Sequence, residues 1–439
     1  MEKTIKIVIG IFVAVILLSG SFAGGFIVGH LMPSNGLVPF SNEIPTPDTP
    51  PTVAPEQQTS TPSELQTLFI PFWQTWTLIH EQYVVQPVDD VKLLEGAING
   101  MLQTLDVGRN YYLNAEQYEQ ENAVLNGKDY EGIGAYVDTQ GDYLTVISPI
   151  KDSPAAKAGL RPGDQIIAID GKDMTGIPPE DARQKVIGPD GTVVVLTILR
   201  KDTEVPFDVS ITRAKITTPL VESEMRSDGI AYVRLNTFGD TADQELRAAL
   251  TELLAQNPKG LIFDLRYNGG GYLYQGIAIT SEFLPAGQVV VYEKYADGNL
   301  EENISTSNGV ALDIPMVVLV NEGSASASEI VAGALQDYGR AKLVGAITYG
   351  KGSVQSVNML DNDKGLVAIT SAQWLTPKQR LIQDIGLTPD IYVEYTQADF
   401  DANLDPQLDA AVETLLAILN NTAIPTSMPM PTPVNTPIP

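Results

Sequence analysis

Three short apolar runs, separated by helical patterns, organise the C-terminal half of the chain. Residues 261–265, 315–320 and 342–347 are rich in aliphatic side chains and predict buried strands. Helical spacing at 329–336, between the second and third runs, predicts a β-α-β unit with two parallel strands. Loops that follow parallel strands meet at one edge of a sheet, where open α/β sheets bind ligands. We therefore expect the segments after these strands to converge.

An uncharged apolar stretch near the N-terminus, at 7–29, predicts an anchor within residues 1–32. At about 1.5 Å per residue it is long enough to cross a hydrocarbon core of roughly 30 Å. Lys3 and Lys6 precede it and predict a cytoplasmic N-terminus, with the rest of the chain outside the cytoplasm. The alternative is a signal peptide that is cleaved after Ser21-Phe-Ala23, where Ser21 and Ala23 supply the small residues of a cleavage site.

Low-complexity segments follow this stretch and close the chain. Residues 33–64 are rich in Pro, Thr and Ser and predict an extended linker, and residues 421–439 predict a disordered tail. The tail is expected to be a solvated end rather than an occupant of the protein's own active site. Residues 65–126 have a helical pattern, and aromatic and aliphatic positions three and four apart predict a core-facing stripe formed by Phe69, Phe72, Trp73, Trp76 and Ile79.

Composition narrows the possible chemistry. The 439-residue chain is long enough for two or three domains, and its net charge of −27 argues against binding to nucleic acid or anionic lipid. The chain has no Cys, so a thiol nucleophile is excluded. Its two His residues are His30, in the apolar stretch, and His80, in a helical pattern far from the glycine-rich loops. A Ser-His-Asp triad is therefore not expected.

A serine and a lysine are the remaining candidates for catalysis. Ser326 lies in a small-residue helix start, and Lys351 lies between Gly350 and Gly352. A lysine amine has a reference pKa of roughly 10.4, which burial can lower by up to about 3–5 units, so a neutral Lys351 could act as base. Backbone N–H groups at the helix start and in the glycine loop 269–271 could stabilise an oxyanion.

Each of these features also has a purely structural interpretation. The spacing of Ser326 and Glu329 fits a capping box, S-x-x-E, in which the serine only caps the helix. A lysine flanked by glycines is commonly a solvated turn. The residue pattern alone leaves both interpretations open.

Three segments together resemble the C-terminal processing peptidases, also called tail-specific proteases. They are NEGSASASE at 321–329, YGKGSVQ at 349–355 and LRYNGGG at 265–271. The resemblance implies an α/β, crotonase-like catalytic domain over residues 215–420, preceded by the helical region 65–126. It also implies a serine endopeptidase with no metal or organic cofactor.

The resemblance also implies a role for each matching residue. Ser326 would be the nucleophile, Lys351 the general base, and Gln355 the residue that holds the lysine amine. The amides of Gly271 and Ala327 would be the oxyanion donors. As internal controls, Ser324 and Ser328 lie two residues from Ser326 and should face elsewhere.

Residues 127–214 resemble a PDZ domain of the bacterial protease type, inserted before the catalytic domain. An exposed strand edge in such a domain accepts an extended peptide, and a glycine-bearing loop offers N–H groups to the terminal carboxylate. The loop that matches comprises Gly132, Ile133, Gly134 and Ala135. The substrates implied are exported proteins with exposed C-termini, cleaved near or from those ends.

The sequence departs from the family pattern in three places. A segment usually similar to Asp-Pro-x-Ser-x-Tyr reads DVGRNY at 106–111, Ile187 replaces an arginine that often precedes the glycine at Gly188, and Gln379 replaces a usual glycine. The first departure, at 106–111, affects a loop with a structural rather than a catalytic role. The change at Ile187 bears on how a peptide-loaded PDZ domain would switch the protease on.

The resemblance and the apolar stretch together predict a single-pass protein of a bacterial cell membrane, with its catalytic part outside the cytoplasm. Its expected partners are protein substrates and the membrane, without nucleic acid, and a homo-oligomer is compatible with the sequence. Two other functions compete with this prediction. One is a non-catalytic PDZ scaffold that binds C-terminal peptides, and the other is an acyl-CoA enzyme of crotonase type, which acidity and export both disfavour.

Overall fold

The chain divides into two compact units, Met1–Val88 and Asp89–Pro439. The computed structural model describes residues 63–105, 110–138, 142–150, 152–177, 179–201, 203, 205–306, 308–361, 365–402 and 404–429. The predicted anchor or signal segment lies outside the described residues, as does the predicted linker up to residue 62. Among the residues that are described, no helix has both the length and the apolar character needed to span a membrane.

The described part of the first unit consists of two helices, α1 (Ser63–Leu68) and α2 (Ile70–Gln82). The aromatic rings of α2 pack against one another, with centroids 5.0 Å apart for Phe72 and Trp73 and 6.2 Å apart for Trp73 and Trp76. No residue of α2 is buried, and Trp73 is 59% exposed. The predicted core-facing stripe is therefore wrong as to burial: its rings contact one another along an exposed helix surface.

The second unit begins with a helical segment that packs onto the catalytic domain. Its elements are α3 (Asp90–Leu102), β1 (Tyr111–Leu113) and α4 (Ala115–Leu125). Asn114 caps α4 in a reciprocal capping box with Gln117, which fixes where that helix begins. The divergent segment 106–109 lies outside the described residues.

Residues 127–214, the predicted PDZ domain, form an antiparallel sheet with two short helices. The sheet orders its strands β3-β4-β5-β7-β8, so β3 lies at an edge, and the short β6 pairs with β5. Strands β2 and β9 pair separately where the chain enters and leaves the domain. The elements are β2 (Tyr130–Gly132), β3 (Ala135–Asp138), β4 (Leu144–Pro149), α5 (Pro154–Lys157), β5 (Gln165–Ile169), β6 (Lys172–Asp173), α6 (Pro179–Val186), β7 (Val193–Leu199), β8 (Phe207–Thr212) and β9 (Ala214–Ile216).

The catalytic domain contains the remaining elements of the described chain. They are β10 (Val221–Met225), β11 (Ala231–Leu235), α7 (Ala242–Leu254), β12 (Leu261–Asp264), α8 (Leu273–Ser281), β13 (Val289–Tyr295), β14 (Leu300–Ile304), β15 (Met316–Val320), α9 (Ala327–Asp337), β16 (Lys342–Gly345), β17 (Ser353–Met359), β18 (Leu366–Leu375), β19 (Ile391–Tyr392), α10 (Gln397–Asp401) and α11 (Pro406–Asn420).

A six-stranded sheet, ordered β10-β11-β12-β15-β16-β19, is the centre of this domain. Strands β11 to β19 along this order are parallel, and β10 is antiparallel to β11. Both β12 and β15 are buried along their whole length because helices α7, α8 and α9 pack on one face and α11 on the other. The predicted β-α-β unit is confirmed, and the loops after β12 and β15 leave the same edge of the sheet.

A second, antiparallel sheet lies beside the first and orders its strands β1-β18-β13-β14, with β17 also paired to β18. Strand β17 begins two residues after Lys351, so this sheet holds the lysine segment.

The described chain after α11 is partly fixed to the domain. The Tyr392 amide donates to Ser427 Oγ at 2.9 Å, and the Met428 amide donates to the Tyr392 oxygen at 3.0 Å. Residues 430–439 of the predicted tail lie outside the described part.

Candidate active site

Ser326 lies at the turn between β15 and α9 in a conformation that ordinary helix caps do not adopt. Its φ is +55° and its ψ is −117°, whereas an N-cap residue normally has an extended backbone. For a residue with a Cβ this conformation is strained by roughly 1–3 kcal/mol, and such strain is concentrated at functional sites. Only half of a capping box is formed here: the Ser326 amide donates to Glu329 Oε2 at 2.9 Å, but the Ser326 side chain makes no capping hydrogen bond. The strained backbone indicates that Ser326 has a role other than starting the helix.

The two neighbouring serines are fixed inside the protein, as the sequence predicts. Ser324 Oγ donates to the Leu265 oxygen at 2.8 Å and accepts from the Asn321 amide at 3.0 Å. Ser328 Oγ donates to the Asn268 oxygen at 2.7 Å. Both serines are fully buried, whereas Ser326 is half-buried and lines a cavity. Of these three hydroxyls, only that of Ser326 is available to a substrate.

The glycine loop after β12 packs directly against this turn. The Asn268 side chain turns the loop by accepting from the Gly270 amide at 2.9 Å. A Cβ on Gly270 would lie 2.8 Å from Ser326 Cβ and 2.9 Å from the Ala327 nitrogen, so only glycine permits this approach. Gly271 follows with an exposed backbone. Among the described residues, the amides of Gly271 and Ala327 donate to no partner, as oxyanion donors would require.

A buried ion pair fixes the start of the same loop. Arg266 contacts Asp264 at 2.7 Å and Asp405 at 2.8 Å, which joins the loop to the start of α11. Tyr232 also donates to the Asp264 carboxylate at 2.7 Å. Burial acts to raise the pKa of Asp264, but the Arg266 guanidinium overcomes it and holds that pKa below its usual value. The pair is therefore ionised at neutral pH and keeps the loop rigid.

Lys351 lies in a fixed segment rather than a solvated turn. The Trp374 indole donates to the Lys351 oxygen at 2.9 Å, and the Gly352 amide donates to Gln383 Oε1 at 2.9 Å. Gly350 has a φ of +90°, and a Cβ there would lie 2.9 Å from the Gly386 nitrogen. The two glycines are buried and Lys351 is half-buried. The glycines thus allow the backbone to pack closely, as expected for a lysine placed in a site.

One residue whose importance the sequence did not reveal connects these two segments. The Glu329 carboxylate, which is fully buried, accepts hydrogen bonds from Ser326, Thr348, Gly350 and Lys351. The S-x-x-E spacing predicted only the bond to Ser326. Contacts to residues about twenty positions later depend on tertiary folding, so no local pattern could have indicated them.

Ser326 and Lys351 line one cavity of about 600 Å³, together with Gly271, Ala327 and Gln355. The five predicted catalytic and oxyanion residues therefore meet at one place. The Gln355 amide group donates to Ser353 Oγ at 3.0 Å. Its role in holding the lysine amine stays a prediction.

Residues of the predicted PDZ domain and of α4 also line this cavity, among them Leu125, Ala135, Tyr136, Ile150 and Arg183. Arg183 of α6 contacts Glu121 of α4 at 2.6 Å, which joins the PDZ domain to the helical segment. A peptide that enters the cavity would therefore meet PDZ residues and Ser326 in the same space.

The predicted carboxylate loop is only partly a loop. Gly132 belongs to β2 and pairs with Ala214, and the Ile133 side chain is buried in the PDZ core. Gly134 has a φ of +75°, and a Cβ there would lie 2.5 Å from Ser153 Cβ. Ala135 then begins the edge strand β3. Binding of a peptide carboxylate at these residues stays a prediction.

Comparison with known proteins decides the family. The profile of Peptidase family S41 matches residues 229–393, a PDZ domain profile matches 145–200, and the profile called Activating protease CtpB N-terminal domain matches 46–117. A carboxy-terminal-processing protease of Bartonella bacilliformis is 39% identical over 327 residues, which covers 74% of each chain. The chain belongs to peptidase family S41.

Further relatives agree with this assignment. A carboxyl-terminal-processing protease of Synechocystis sp. is 38% identical over 351 residues, covering 78% of this chain and 81% of the relative. Among solved structures, the photosystem II D1 C-terminal processing protease matches with a TM-score of 0.60 at 29% identity, covering 76% of this chain and 94% of that one. The chain is thus a serine-type peptidase of the S41 family with a PDZ domain.

In this S41 peptidase an arginine from elsewhere in the chain, Arg213, packs on the segment that contains Ile187. Gly188, which follows Ile187, packs on the Arg213 side chain, and a Cβ there would lie 2.9 Å from Arg213 Nε. Arg213 donates to the oxygens of Val186 at 2.8 Å and Lys185 at 2.9 Å. An arginine from the end of the PDZ domain therefore fixes the C-terminus of α6.

Gln379, where the family resemblance predicts a glycine, has a backbone conformation that favours glycine. Gln379 has a φ of +57°, which disfavours residues with a Cβ.

We expect Gln379→Gly to raise the free energy of unfolding by about 1 kcal/mol, because glycine removes this backbone strain. The measurement is urea denaturation. The neighbouring Lys378 is not among the residues with positive φ, so Lys378→Gly should lower stability; a gain from both variants would contradict the explanation.

Proposed function

We propose that the chain is an endopeptidase that cleaves exported proteins near or from their C-termini, with Ser326 and Lys351 as a catalytic dyad. The single observation that carries this proposal is the meeting of both residues in one cavity that residues of the PDZ domain also line. A non-catalytic scaffold would need the peptide-binding edge but not a strained serine beside a fixed lysine.

In this mechanism Ser326 Oγ attacks the scissile carbonyl carbon while the neutral Lys351 amine takes its proton. The amides of Gly271 and Ala327 stabilise the oxyanion, and Gln355 orients the amine. Lys351 then protonates the leaving amine, which leaves an acyl-enzyme on Ser326. A water molecule, deprotonated by Lys351, hydrolyses that ester and restores the serine.

The PDZ domain is proposed to bind the substrate's C-terminal residues. Strand β3 lies at the sheet edge and is available for strand addition, and Gly134 and Ala135 would direct N–H groups at the terminal carboxylate. Ala135 also lines the cavity that contains Ser326. A tail held there would therefore deliver the preceding segment towards the nucleophile.

The function is tested by cleavage of a synthetic unstructured peptide that ends in two apolar residues, using the full-length chain. Mass spectrometry should detect two fragments. The same peptide with a C-terminal carboxamide should be cleaved with a kcat/KM about 10–100-fold lower, because hydrogen bonds to a charged group contribute roughly 1.5–3 kcal/mol. Binding without cleavage would instead favour the scaffold, and equal cleavage of both peptides would remove the tail-reading role.

The apolar stretch 7–29 supports the further proposal that the crotonase-like catalytic part is anchored outside the cytoplasm of a bacterial cell. Protease treatment of intact cells should then digest the catalytic domain, provided the cell wall or outer membrane has been opened. Protection of that domain until the inner membrane is lysed would overturn this placement.

A further inference from the structure

The Glu329 carboxylate occupies a position that a helix cap alone does not explain. Each of its oxygens accepts two hydrogen bonds. Oε1 accepts from Thr348 Oγ1 at 2.5 Å and the Gly350 amide at 2.7 Å, and Oε2 accepts from the amides of Ser326 and Lys351, both at 2.9 Å. The side chain is 0% exposed. A capping box requires only one of these four bonds.

These contacts join the proposed nucleophile to the proposed base through one group. Oε2 is shared by the backbone amides of Ser326 and Lys351, so the two backbones cannot move apart without breaking a bond. The Tyr349 amide also donates to the Ser324 oxygen at 3.0 Å, which keeps the lysine segment beside the serine turn. The distance between the serine and lysine backbones is therefore set from inside the protein rather than by the substrate.

The same bonds account for the strained backbone of Ser326. Its φ of +55° can persist only if the surrounding structure over-determines the turn. On one side Gly270 packs within van der Waals contact of Ser326, and on the other Glu329 fixes its amide. Removing the carboxylate acceptor would release one of these two constraints.

We propose that Glu329 is a positioning residue of the peptidase reaction, a buried carboxylate that sets Ser326 against Lys351. This inference rests on the proposed Ser326/Lys351 dyad. Glu329 does not touch the substrate, and it takes no proton in the reaction. It acts only through the two backbone segments that it joins.

Glu329→Gln tests the inference because the two side chains have nearly the same shape. Glutamine presents one oxygen and one NH₂ group, so two of the four donors would face another donor. The lysine and serine segments should then separate, and a misplacement of about 1 Å can reduce turnover by about 100-fold. We expect kcat for the unstructured peptide to fall about 100-fold, with KM within about threefold of the original value.

A matched control is available in Glu282, another buried carboxylate on the same domain. It is 3% exposed, accepts from the Val310 amide at 3.2 Å and contacts Arg247 at 2.6 Å, and it does not line the cavity. Glu282→Gln should lower the melting temperature, as Glu329→Gln does, yet keep kcat within about threefold. A loss of kcat in both variants would show a general effect of destabilisation and would overturn the proposal.

A second readout is the rate at which a fluorophosphonate probe labels Ser326 in the full-length chain. Labelling should slow in Glu329→Gln in parallel with kcat, and it should not slow in Glu282→Gln. If Glu329→Gln keeps kcat and labelling within threefold while Ser326→Ala abolishes both, only the role of Glu329 fails. If Ser326→Ala itself still cleaves, the dyad fails and this inference fails with it.

Thr348 supplies a decisive test if Glu329→Gln does not fold. Its hydroxyl donates to Glu329 and accepts from the Leu387 amide at 2.6 Å. Thr348→Val keeps the shape but removes the donor to Glu329 and the acceptor for Leu387, whereas Thr348→Ser keeps both. We expect kcat to fall several-fold in Thr348→Val and to be retained in Thr348→Ser. Equal kcat in the two folded variants would overturn the proposal.

Discussion

Ser326→Ala should abolish peptide cleavage, with a fall in kcat on the order of 10⁶-fold, which places it at the background of the assay. The reason is that the side-chain oxygen forms the covalent acyl-enzyme, and no thiol or second exposed hydroxyl in the turn can replace it. Ser324 and Ser328 are buried and already bonded. The measurement is the initial rate of fragment formation, followed by mass spectrometry, with the melting temperature determined in parallel.

Ser324→Ala is the control for this variant. It removes the acceptor of the Asn321 amide and the donor to the Leu265 oxygen, so it should lower the free energy of unfolding by about 1–3 kcal/mol. Cleavage by the folded fraction should persist, within about tenfold of the original rate. Retained cleavage in Ser326→Ala, or equal loss in both variants, would remove Ser326 from the nucleophile's role.

The central sheet was predictable from local sequence because its strands are buried on both faces. The runs at 261–265 and 315–320 are apolar except for Asp264, and short apolar runs of this kind are typical of buried parallel strands. The observed strands β15 and β16 pair in parallel, as predicted, and β12 also pairs in parallel with β15. The helical spacing at 329–336 likewise corresponds to the observed helix α9, Ala327–Asp337.

Local periodicity was not sufficient to predict whether the aromatic residues of α2 are buried. The spacing of Phe72, Trp73 and Trp76 shows that they share a helix face, but not whether another element covers that face. In the described residues these rings contact each other and the helix has no buried residue. A stripe pattern therefore predicts a contact surface, and only tertiary structure decides whether it is a core.

The candidate site shows the same division between local and tertiary information. Ser326, Lys351 and the glycine loop were recognisable because each has a distinctive local sequence, and topology brings the ends of parallel strands together. The bonds that fix their geometry were not predictable. Glu329 joins segments about twenty residues apart. Arg266 contacts Asp405, which lies much later in the chain, at the start of the last helix of the domain. Buried polar contacts of this kind depend on the complete fold.

Lys351→Ala should lower kcat nearly as far as Ser326→Ala. A general base alone contributes about 10²–10⁴-fold to the rate. The effects of substituting residues that act as a unit are strongly non-additive, so without the base the serine hydroxyl is hardly activated as a nucleophile. The double variant Ser326→Ala, Lys351→Ala should therefore be no slower than either single variant. The measurement is kcat for the same peptide in all three proteins, with KM expected to change little.

Lys342→Ala and chemical rescue together separate the role of base from that of charge. Lys342 lies on the same domain and pairs with Asp390 at 2.7 Å on the surface, so its loss should leave kcat within about twofold.

The rescue experiment uses Lys351→Ala. This substitution leaves room where the lysine side chain lay, and a small primary amine such as ethylamine should restore part of the lost turnover. The restored rate should rise with the concentration of the neutral amine at fixed pH, because a base must accept the serine proton. If tetramethylammonium restores turnover equally, Lys351 supplies positive charge rather than basicity, and the dyad mechanism is wrong.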